Sequence, residues 1–586
     1  MAHPKESAVP ASESSATPAP VSAPELDARL RAAIDDDLVA LRQGAALWSR
    51  SSIAERIRAL SATRDAVGAA AADWAGVAAR AKGLSPDHPL RGEEWLSGPY
   101  AVLGALDGYL ATLRRIAAGG SPLDGVRLDR APGDRIRAHV FPREPIDNLL
   151  LSGFTGEIWL RPGTDASSAI RRAGLAQVSP GTAGVGLVLG AGNISAIPVL
   201  DVLYELLAFD RVSLLKVNPT QDDLVPVFER ALAPLIGRGL VRIVRGGGDV
   251  GAYLTAHEGI EHVHITGSAA TFDAIVWGDR DRTTDEPRLR TPITAELGGV
   301  SPIIVVPGDW TDADLRFQAA HIATMRLHNS GHNCIAGQVV LMSADWPQRE
   351  QFLRALHEAY RSAPARPVWY PRADERLHAL EATYPSAQWS AGHSRALVQV
   401  APGEDAAELE TTEYFAPVLG VVELPGTGQD FLDAAVAHAN TSLAGTLGAN
   451  VIVDPDAEDA MGAGFERAIA DLRYGGIAIN AWTGVLFATP VLSWGAFPGS
   501  DVREVGSGIG VVHNTSLLAD VERSVLRGPF RPFPRSLGAG RFSVLPTPPW
   551  FVSARTAAAV SEGLTRYRVD RNPLGLALTL IRAMGA

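Results

Sequence analysis

The only cysteine of the chain, Cys334, lies in the segment Asn-Ser-Gly-His-Asn-Cys-Ile-Ala at residues 329–336. A cysteine thiolate is a competent nucleophile, and it becomes one where its surroundings let the thiol lose its proton. Single cysteines are more often small buried apolar side chains. Cys334 is therefore a candidate nucleophile whose role depends on the groups placed around it.

A second candidate group, Glu296, stands in the apolar and glycine-rich segment 293–302. Burial of a carboxyl group raises its pKa toward the range in which it acts as a general base. Taken alone, the same carboxylate also fits a capping role at the end of an element.

Two short glycine-containing turns suit the approach of a phosphate to a helix start. The turn 190–195 (Gly-Ala-Gly-Asn-Ile-Ser) partly matches the dinucleotide fingerprint, but Ser195 replaces the third glycine, and Lys216 stands where an acidic residue is expected. Thr266, Gly267 and Ser268 end another predicted strand. Each turn by itself is equally consistent with an ordinary structural turn.

Alternating strands and helices must position these groups. Strands are predicted at 185–189, 212–217, 241–244 and 262–265, with one helix after residue 197 and another over 222–236 that starts in a capping box of Thr220 and Asp223. A second alternating stretch runs from 302 to about 480, with strands at 303–306 and 338–342 and a helix at 312–327. Such alternation predicts parallel sheets covered on both faces, with a ligand cleft between two domains that bracket residues 296–334.

The remaining segments are less regular. Residues 1–25 have a disordered composition, 26–118 show helical periodicity, 134–178 indicate hairpin strands or an arm, and the apolar run 574–584 is predicted to dock as a helix. The formal charge of −12 argues against a general nucleic-acid surface. No apolar run reaches the roughly 20 residues needed to span a bilayer, and the N-terminus lacks an apolar signal core, so we expect a cytoplasmic protein.

In order and spacing, these segments resemble the aldehyde dehydrogenase superfamily over about residues 180–515. The family's Glu-Leu-Gly-Gly motif matches 296–299, and its Asn-x-Gly-x-x-Cys-x-Ala motif matches 329–336, with a spacing of 334 − 296 = 38 positions from glutamate to cysteine. The family's oxyanion asparagine matches Asn193 and its adenosine-ribose lysine matches Lys216. Residues 413–417 (Glu-Tyr-Phe-Ala-Pro) are similar to its Glu-x-Phe-Gly-Pro ribose-binding motif.

The resemblance implies an α/β fold of the aldehyde dehydrogenase type, in which a parallel-sheet dinucleotide-binding domain is joined to an α/β catalytic domain by a bridging hairpin or arm. It divides the chain into a disordered tail (1–25), a dinucleotide-binding domain (26–133 and 180–297), a bridging or oligomerisation arm (134–179), a catalytic domain (298–492), a return segment (493–526) and a C-terminal extension (527–586). It also implies a homodimer or homotetramer.

The chemistry implied by the resemblance is the oxidation of an aldehyde to a carboxylic acid through a thiohemiacetal and a thioester. Cys334 is the nucleophile, Glu296 the general base and Asn193 an oxyanion donor, and no metal ligand is assigned. The cofactor is NAD or NADP, and its predicted binding residues are Lys216, Asn218, Gly246, Thr266, Gly267, Ser268, Leu297, Gly298, Glu413 and Phe415.

The chain departs from the family pattern at several positions. His332 replaces a glutamine two residues before the cysteine, Phe272 replaces a glycine, and residues 507–512 lack the family's charged Arg-Glu pair. Pro219 stands where NAD-preferring relatives often carry a glutamate, and with Arg245 nearby this makes NADP use plausible. Residues 278–290 form a charged insertion.

Two alternatives remain open at the level of sequence. An acylating relative would pass the thioester to coenzyme A, although such relatives commonly lack the general-base glutamate. A scaffold of the same fold that has lost turnover would explain the departures from the pattern. Trp482, Phe487 and Trp494 are candidates for a substrate channel, and each also fits a packing role in the core.

Overall fold

Two sheets with helices on their faces make up the part of the chain that the computed structural model describes, residues 26–179, 181–401, 403–538 and 540–585. The α/β class predicted from the alternation is confirmed. The tail expected at 1–25 lies outside the described residues.

The strands form an 11-stranded sheet in the order β1-β2-β3-β19-β15-β14-β9-β10-β13-β12-β11, a 6-stranded sheet in the order β17-β8-β7-β4-β5-β6, and the pair β16-β18. In chain order they are β1 (Leu128–Ala131), β2 (Arg135–Phe141), β3 (Thr155–Leu160), β4 (Val185–Leu189), β5 (Val212–Lys216), β6 (Val241–Val244), β7 (His262–Gly267), β8 (Ile293–Leu297), β9 (Ser301–Val305), β10 (Gly337–Ser343), β11 (Gln388–Ser390), β12 (Arg395–Gln399), β13 (Val418–Leu424), β14 (Gly448–Ile452), β15 (Gly476–Ile479), β16 (Trp494–Gly495), β17 (Gly508–Ile509), β18 (Val511–Val512) and β19 (Val521–Arg527).

Helices cover both sheets and form an N-terminal layer. In chain order the α-helices are α1 (Ala28–Trp48), α2 (Ile53–Ala81), α3 (Gly92–Trp95), α4 (Ala101–Ala117), α5 (Pro145–Leu150), α6 (Ala166–Arg172), α7 (Ile197–Phe209), α8 (Val225–Ala231), α9 (Ala233–Ile236), α10 (Gly248–Thr255), α11 (Ala269–Val276), α12 (Asp312–Leu327), α13 (Arg349–Ser362), α14 (Ala373–Thr383), α15 (Ala407–Thr411), α16 (Gly428–Thr441), α17 (Pro455–Met461), α18 (Ala463–Asp471), α19 (Thr483–Phe487), α20 (Ala557–Asp570) and α21 (Pro573–Met584). Among the residues described, no helix combines the length and apolarity needed to cross a bilayer.

The 6-stranded sheet places its parallel strands so that their carboxyl ends meet at one edge. β4 pairs in parallel with β5 and with β7, and β7 pairs in parallel with β8. Every residue of β5 is buried, as expected for a strand covered on both faces. The predicted strands 185–189 and 241–244 are confirmed at the same bounds, and β7 continues to Gly267.

The single helix predicted over 222–236 is wrong. The segment is broken into a 3-10 turn at Pro219–Leu224 followed by α8 and α9. Pro226 and Pro234 each lie in the first turn of a helix, because proline has no N–H to donate and its ring collides with the preceding turn.

The capping box predicted at Thr220 is also wrong. Asn218 caps the segment, since its Oδ1 accepts a hydrogen bond from the Thr220 N–H at 3.1 Å. The Thr220 hydroxyl instead donates to the carbonyl of Gly192 at 2.7 Å. This contact ties the loop after β5 to the loop after β4, which carries Asn193.

The N-terminal helices support the same loop from the other side. α2 begins in a capping box of Ser52 and Glu55, and its Trp74 is fully buried. The Trp74 indole N–H donates to the Ser195 hydroxyl at 2.8 Å. The turn 190–195 is therefore held between α2 and the loop after β5.

The last two helices form an antiparallel pair that packs on the N-terminal layer, mainly on α3. The predicted docking of the apolar run 574–584 as a helix is confirmed by α21, which buries Leu576 and Ala583. Its opposite face leaves Leu574, Leu578 and Ile581 exposed. Helix α12 has the bounds that its periodicity predicts.

Candidate active site

Glu296 lies in the penultimate position of β8, with strands on both sides of it. It pairs with Thr266 of β7 and with Gly508 of β17. Its side chain is buried, and its Oε1 accepts a hydrogen bond from the Trp494 indole N–H at 2.9 Å. Burial raises the pKa of Glu296 to about 7, while hydrogen bonds from Trp494 and from the Cys334 thiol act in the opposite direction. The structure thus places Glu296 and Cys334 close enough for each to shift the pKa of the other.

Cys334 follows a loop whose backbone is held in an uncommon conformation. Asn329, Ser330 and Gly331 have φ values of 53°, 54° and 72°, all in the left-handed region. Non-glycine residues in that region are typically strained by about 1 to 3 kcal/mol each. Such a loop persists only where surrounding contacts fix it, and two of its contacts reach far along the chain.

The first of these contacts is made by Glu93 of α3. Its carboxylate accepts a hydrogen bond from the Asn329 N–H at 2.9 Å and is in contact with the Arg366 guanidinium. Glu94 beside it pairs with Lys82 at 2.9 Å. Burial alone would raise the pKa of Glu93, but His328, Arg366 and Lys82 together hold it below its usual value.

The second contact joins the loop to Asn193. The Asn193 Nδ2 donates to the carbonyl of His332 at 3.0 Å, and the Asn329 Nδ2 donates to the carbonyl of Asn193 at 3.2 Å. Asn193 and Cys334 line the same cavity. An amide donor therefore stands at the cavity wall beside the thiol.

Six of the predicted cofactor residues follow the strands of the 6-stranded sheet at its carboxyl edge. They are Lys216 at the end of β5 and Asn218 after it, Gly246 after β6, and Thr266, Gly267 and Ser268 at the end of β7. Ligands of open α/β sheets bind at this edge. The Lys216 side chain is buried, and its ammonium makes no hydrogen bond or ion pair within the described part of the chain, although Asp222 and Asp249 lie near it. The Thr266 hydroxyl, in contrast, donates to Asp201 at 2.9 Å.

Four further predicted residues come together from the two sheets. Leu297 and Gly298 end β8, and a Cβ on residue 298 would lie only 2.0 Å from a carboxylate oxygen of Glu413. Glu413 Oε1 is buried and has no hydrogen-bond partner among the described residues. Burial raises the pKa of Glu413 to about 7. Phe415 packs against Tyr370, with ring centroids 4.9 Å apart.

The thiol opens into a cavity of about 420 Å³. Trp482 and Phe487 line this cavity, as the channel hypothesis expects, together with residues of α4, α20 and α21. Trp494 is not among the lining residues of this cavity, and its indole N–H donates a hydrogen bond to Glu296.

The residues that depart from the family pattern lie in different parts of the structure and make different contacts. The ring of His332 is buried, and its Nδ1–H donates to the carbonyl of Phe415 at 2.6 Å. Phe272 belongs to the core between α11, β7 and β8. The Ser507 hydroxyl donates to the carbonyl of Gly298 at 3.0 Å. His332 and Ser507 thus hold loops of the site in place without the family's usual side chains.

Three groups of the site escaped the sequence analysis or were given another role there. Glu93 and Arg366 lie far from any motif, and the indole of Trp494 was considered only for a channel. Nothing local in the sequence marks these residues, because their roles depend on contacts between distant segments.

Comparison with known proteins agrees with this architecture. The model of the aldehyde dehydrogenase family matches residues 220–371. A 3,6-anhydro-alpha-L-galactose dehydrogenase from Streptomyces coelicolor is 32% identical over 146 residues, which are 24% of this chain and 27% of that relative. The chain therefore spans about a quarter of that curated relative's length.

Solved structures match over much more of the chain. An NAD-dependent aldehyde dehydrogenase from Sinorhizobium meliloti has a TM-score of 0.57 at 20% identity, covering 84% of this chain and 86% of that one. An NADP-dependent glyceraldehyde-3-phosphate dehydrogenase from Bacillus halodurans, complexed with NADP, has a TM-score of 0.56 at 18% identity, covering 85% and 91%. These likenesses establish the fold. The family model matches the segment that contains Glu296 and Cys334, and the chain shares its fold with these aldehyde dehydrogenases.

Proposed function

We propose that the protein oxidises an aldehyde to a carboxylic acid with NAD or NADP, with Cys334 as nucleophile and Glu296 as general base. The observation that carries the proposal is the proximity of a buried carboxyl group with a pKa of about 7 to the thiol at the cavity wall. A base with a pKa near the working pH is effective in both accepting and returning a proton.

The first step is attack of the Cys334 sulfur on the aldehyde carbon. Burial and the neighbouring carboxylates of Glu296 and Glu413 raise the pKa of the thiol, so it needs a base to become a nucleophile. Glu296 takes the thiol proton as the S–C bond forms. The carbonyl oxygen becomes an oxyanion, which the Asn193 amide is placed to stabilise.

The residues at the edge of the 6-stranded sheet fit a dinucleotide. The unpartnered Glu413 Oε1 suits a ribose hydroxyl, and the Lys216 ammonium has no hydrogen-bond acceptor among the described residues. Gly298 leaves space beside the carboxylate that any side chain would fill. A nicotinamide bound there supplies the oxidant, since it accepts the hydride that leaves the substrate carbon.

The choice between NAD and NADP depends on the loops after β5 and β6. Position 219 carries a proline instead of a carboxylate, and Arg245 is exposed directly after Val244, the residue that pairs with Lys216. Asp222 and Asp249 act against these two features, because both lie near the Lys216 ammonium. The proline and the arginine favour tolerance of a 2′-phosphate, so we expect NADP to be used at least as well as NAD.

The last step is hydrolysis of the thioester on Cys334. Glu296 first releases the proton of the thiol to solvent. Ionised again, it accepts a proton from water as the water oxygen attacks the acyl carbon, the C–S bond breaks with the sulfur leaving as a thiolate, and the acid leaves. A buried glutamate at this place supports hydrolysis over transfer to coenzyme A. Hydrolysis and transfer to coenzyme A are distinguished by their products, which are a free acid and an acyl thioester.

The test is an aldehyde panel assayed with NAD and NADP in parallel, with analysis of the products. We expect free acid, and we expect Cys334→Ser to lower turnover by at least about 1,000-fold while cofactor affinity is kept, because a serine hydroxyl is a poor nucleophile without a base built for it. Near-normal turnover in that variant would remove Cys334 from the mechanism. Acyl thioester as product would indicate the acylating reaction, and an inert wild type with an unreactive thiol would indicate a scaffold.

A further inference from the structure

The cavity beside Cys334 extends along one face of α4. The lining residues of this helix recur at intervals of three and four positions: Ala101, Gly104, Asp107, Gly108, Ala111, Arg114 and Arg115. The start of α4 lies near the active site, since the Ala196 N–H donates to the carbonyl of Ser97 at 3.2 Å. From Ala101 to Arg115 the helix rises by about 20 Å. The cavity is therefore elongated and leads from the thiol toward the end of α4.

The C-terminal extension supplies another wall of this cavity. α20 contributes Val560, Leu564, Tyr567 and Arg568, again at helical spacing. Arg571 directly after α20 and Leu580 and Ala583 of α21 line the same wall. The lining also contains apolar side chains, Ile194, Ile197, Val485 and Phe487 among them. The segment that exceeds the family's usual C-terminus thus shapes the space in which a substrate would lie.

Positive charge collects along this cavity. Five arginines line it, against three carboxylates, an excess of two positive charges (5 − 3 = 2). The arginines are Arg114, Arg115, Arg143, Arg568 and Arg571, and the carboxylates are Asp107, Glu144 and Asp147. Asp107 already forms ion pairs with three arginines, which are Arg64 at 2.6 Å, Arg568 at 3.3 Å and Arg571.

Arg568 is the cation best placed to meet a ligand. Its guanidinium carbon lies 3.5 Å from the position that a Cβ on Gly104 would occupy, so it reaches across to the face of α4. One nitrogen donates to the Tyr100 hydroxyl at 3.2 Å and another to Asp107 at 3.3 Å. The third, Nε, is buried and has no hydrogen-bond partner among the described residues. A buried donor without a partner is unfavourable unless a ligand or water satisfies it.

We propose that this cavity selects aldehydes that carry a carboxylate at the end remote from the aldehyde, joined to it by an apolar chain, with Arg568 and Arg143 binding the carboxylate. The inference rests on the proposed function and names its substrate class. The apolar side chains that line the cavity suit methylene groups, and planar guanidinium groups match the geometry of a carboxylate.

The test compares alkanals with ω-carboxyalkanals of equal length over a series of chain lengths. We expect kcat/KM of the wild type to favour the carboxylated member by about 10- to 100-fold at the preferred length, since a hydrogen bond to a charged group contributes on that scale. Arg568→Gln should remove most of this preference, and Arg568→Lys should retain part of it because the charge stays while the planar fork is lost.

Arg143→Gln provides a second variant that is independent of Asp107, in case Arg568→Gln lowers stability. Arg354→Gln, an exposed change on α13 outside the cavity, is the matched control and should leave the preference at the wild-type value. An ω-phosphorylated aldehyde preferred over the carboxylated one would support the anion site and assign it to phosphate.

The inference is overturned if the wild type oxidises both members of each pair equally. It is also overturned if neither Arg568→Gln nor Arg143→Gln alters the preference, so that both variants behave like Arg354→Gln. Oxidation of neither class by the wild type would instead contradict the proposed function itself. The two failures are therefore distinguishable in one assay.

Discussion

At the scale of single residues, the chemistry of the site depends on how Glu296 is surrounded. A solvated glutamate is ionised far below neutral pH and is a weak base there. Burial between β7 and β17 raises the pKa of Glu296 to about 7, and the Trp494 indole limits the rise. The same carboxylate is thus able to exchange protons with the thiol and with water near neutral pH.

We predict that Glu296→Gln gives a single burst of reduced cofactor and then stalls, because the amide cannot accept a proton from the deacylating water. Intact-mass measurement should find the acyl group on Cys334. In the wild type the base must be ionised, so turnover should rise with pH through about 7 and be lost as the pH falls below it. Glu229→Gln, an exposed change on α8, should retain steady turnover. Steady release of free acid by Glu296→Gln would refute the assignment.

At the scale of elements, the position of the nucleophile depends on α3 and its contact with the loop 328–331. The left-handed backbone at Asn329 and Ser330 is unfavourable in isolation. Glu93 binds the Asn329 N–H, and the Ser330 hydroxyl donates to the carbonyl of Pro367 at 2.8 Å. A helix of the N-terminal layer therefore holds the loop 328–331, which precedes the proposed nucleophile.

We predict that Glu93→Gln lowers the free energy of unfolding by about 1 to 3 kcal/mol, because it removes a charge that compensates the buried Arg366 and Lys82. It should also lower kcat more than it changes cofactor affinity, since the loop that carries Cys334 loses a contact. Urea unfolding and steady-state kinetics measure the two effects. Glu358→Gln, which breaks only an exposed pair with Arg361, should change stability by less than about 0.5 kcal/mol. A wild-type kcat in Glu93→Gln would contradict the role of α3.

At the scale of the whole molecule, the predicted cofactor residues belong to two different sheets. Lys216 is the last residue of β5 in the smaller sheet, and Glu413 precedes β13 of the larger one. A dinucleotide that contacts both would bridge the two halves of the fold. Ligand that binds only the folded state stabilises it by mass action.

We predict that NAD or NADP at about 100 times its Kd stabilises the protein by about 2.7 kcal/mol, which thermal unfolding detects as a higher Tm. Lys216→Ala and Glu413→Gln should each raise the Kd of the cofactor and reduce the shift at the same concentration. Glu381→Gln, an exposed change on α14, should preserve the shift. An unchanged cofactor titration in Lys216→Ala would show that this lysine does not bind the cofactor. The division of the chain into domains at the expected boundaries stays a prediction.

Local sequence determined much of this protein. The apolar runs predicted β4, β6 and the bounds of α12, because the spacing of apolar residues along the chain follows the burial pattern of strands and amphipathic helices. The ordered motifs around Glu296 and Cys334 likewise indicated the family and its candidate nucleophile and base. The helix expected over 222–236 failed at Pro226 and Pro234, two residues whose backbone effect is itself local.

Only the tertiary structure decided which distant groups support the site. Trp494 and Glu296 are 198 residues apart, and Glu93 and Asn329 are 236 residues apart. Arg568 comes from the C-terminal extension, yet it lines the cavity that begins at Cys334. No periodicity or motif links such pairs, because their contacts and the burial that shifts their pKa values arise when separate elements pack together. The sequence therefore determined the reactive groups, and the packing of the N-terminal layer, the two sheets and the last two helices decided their environment.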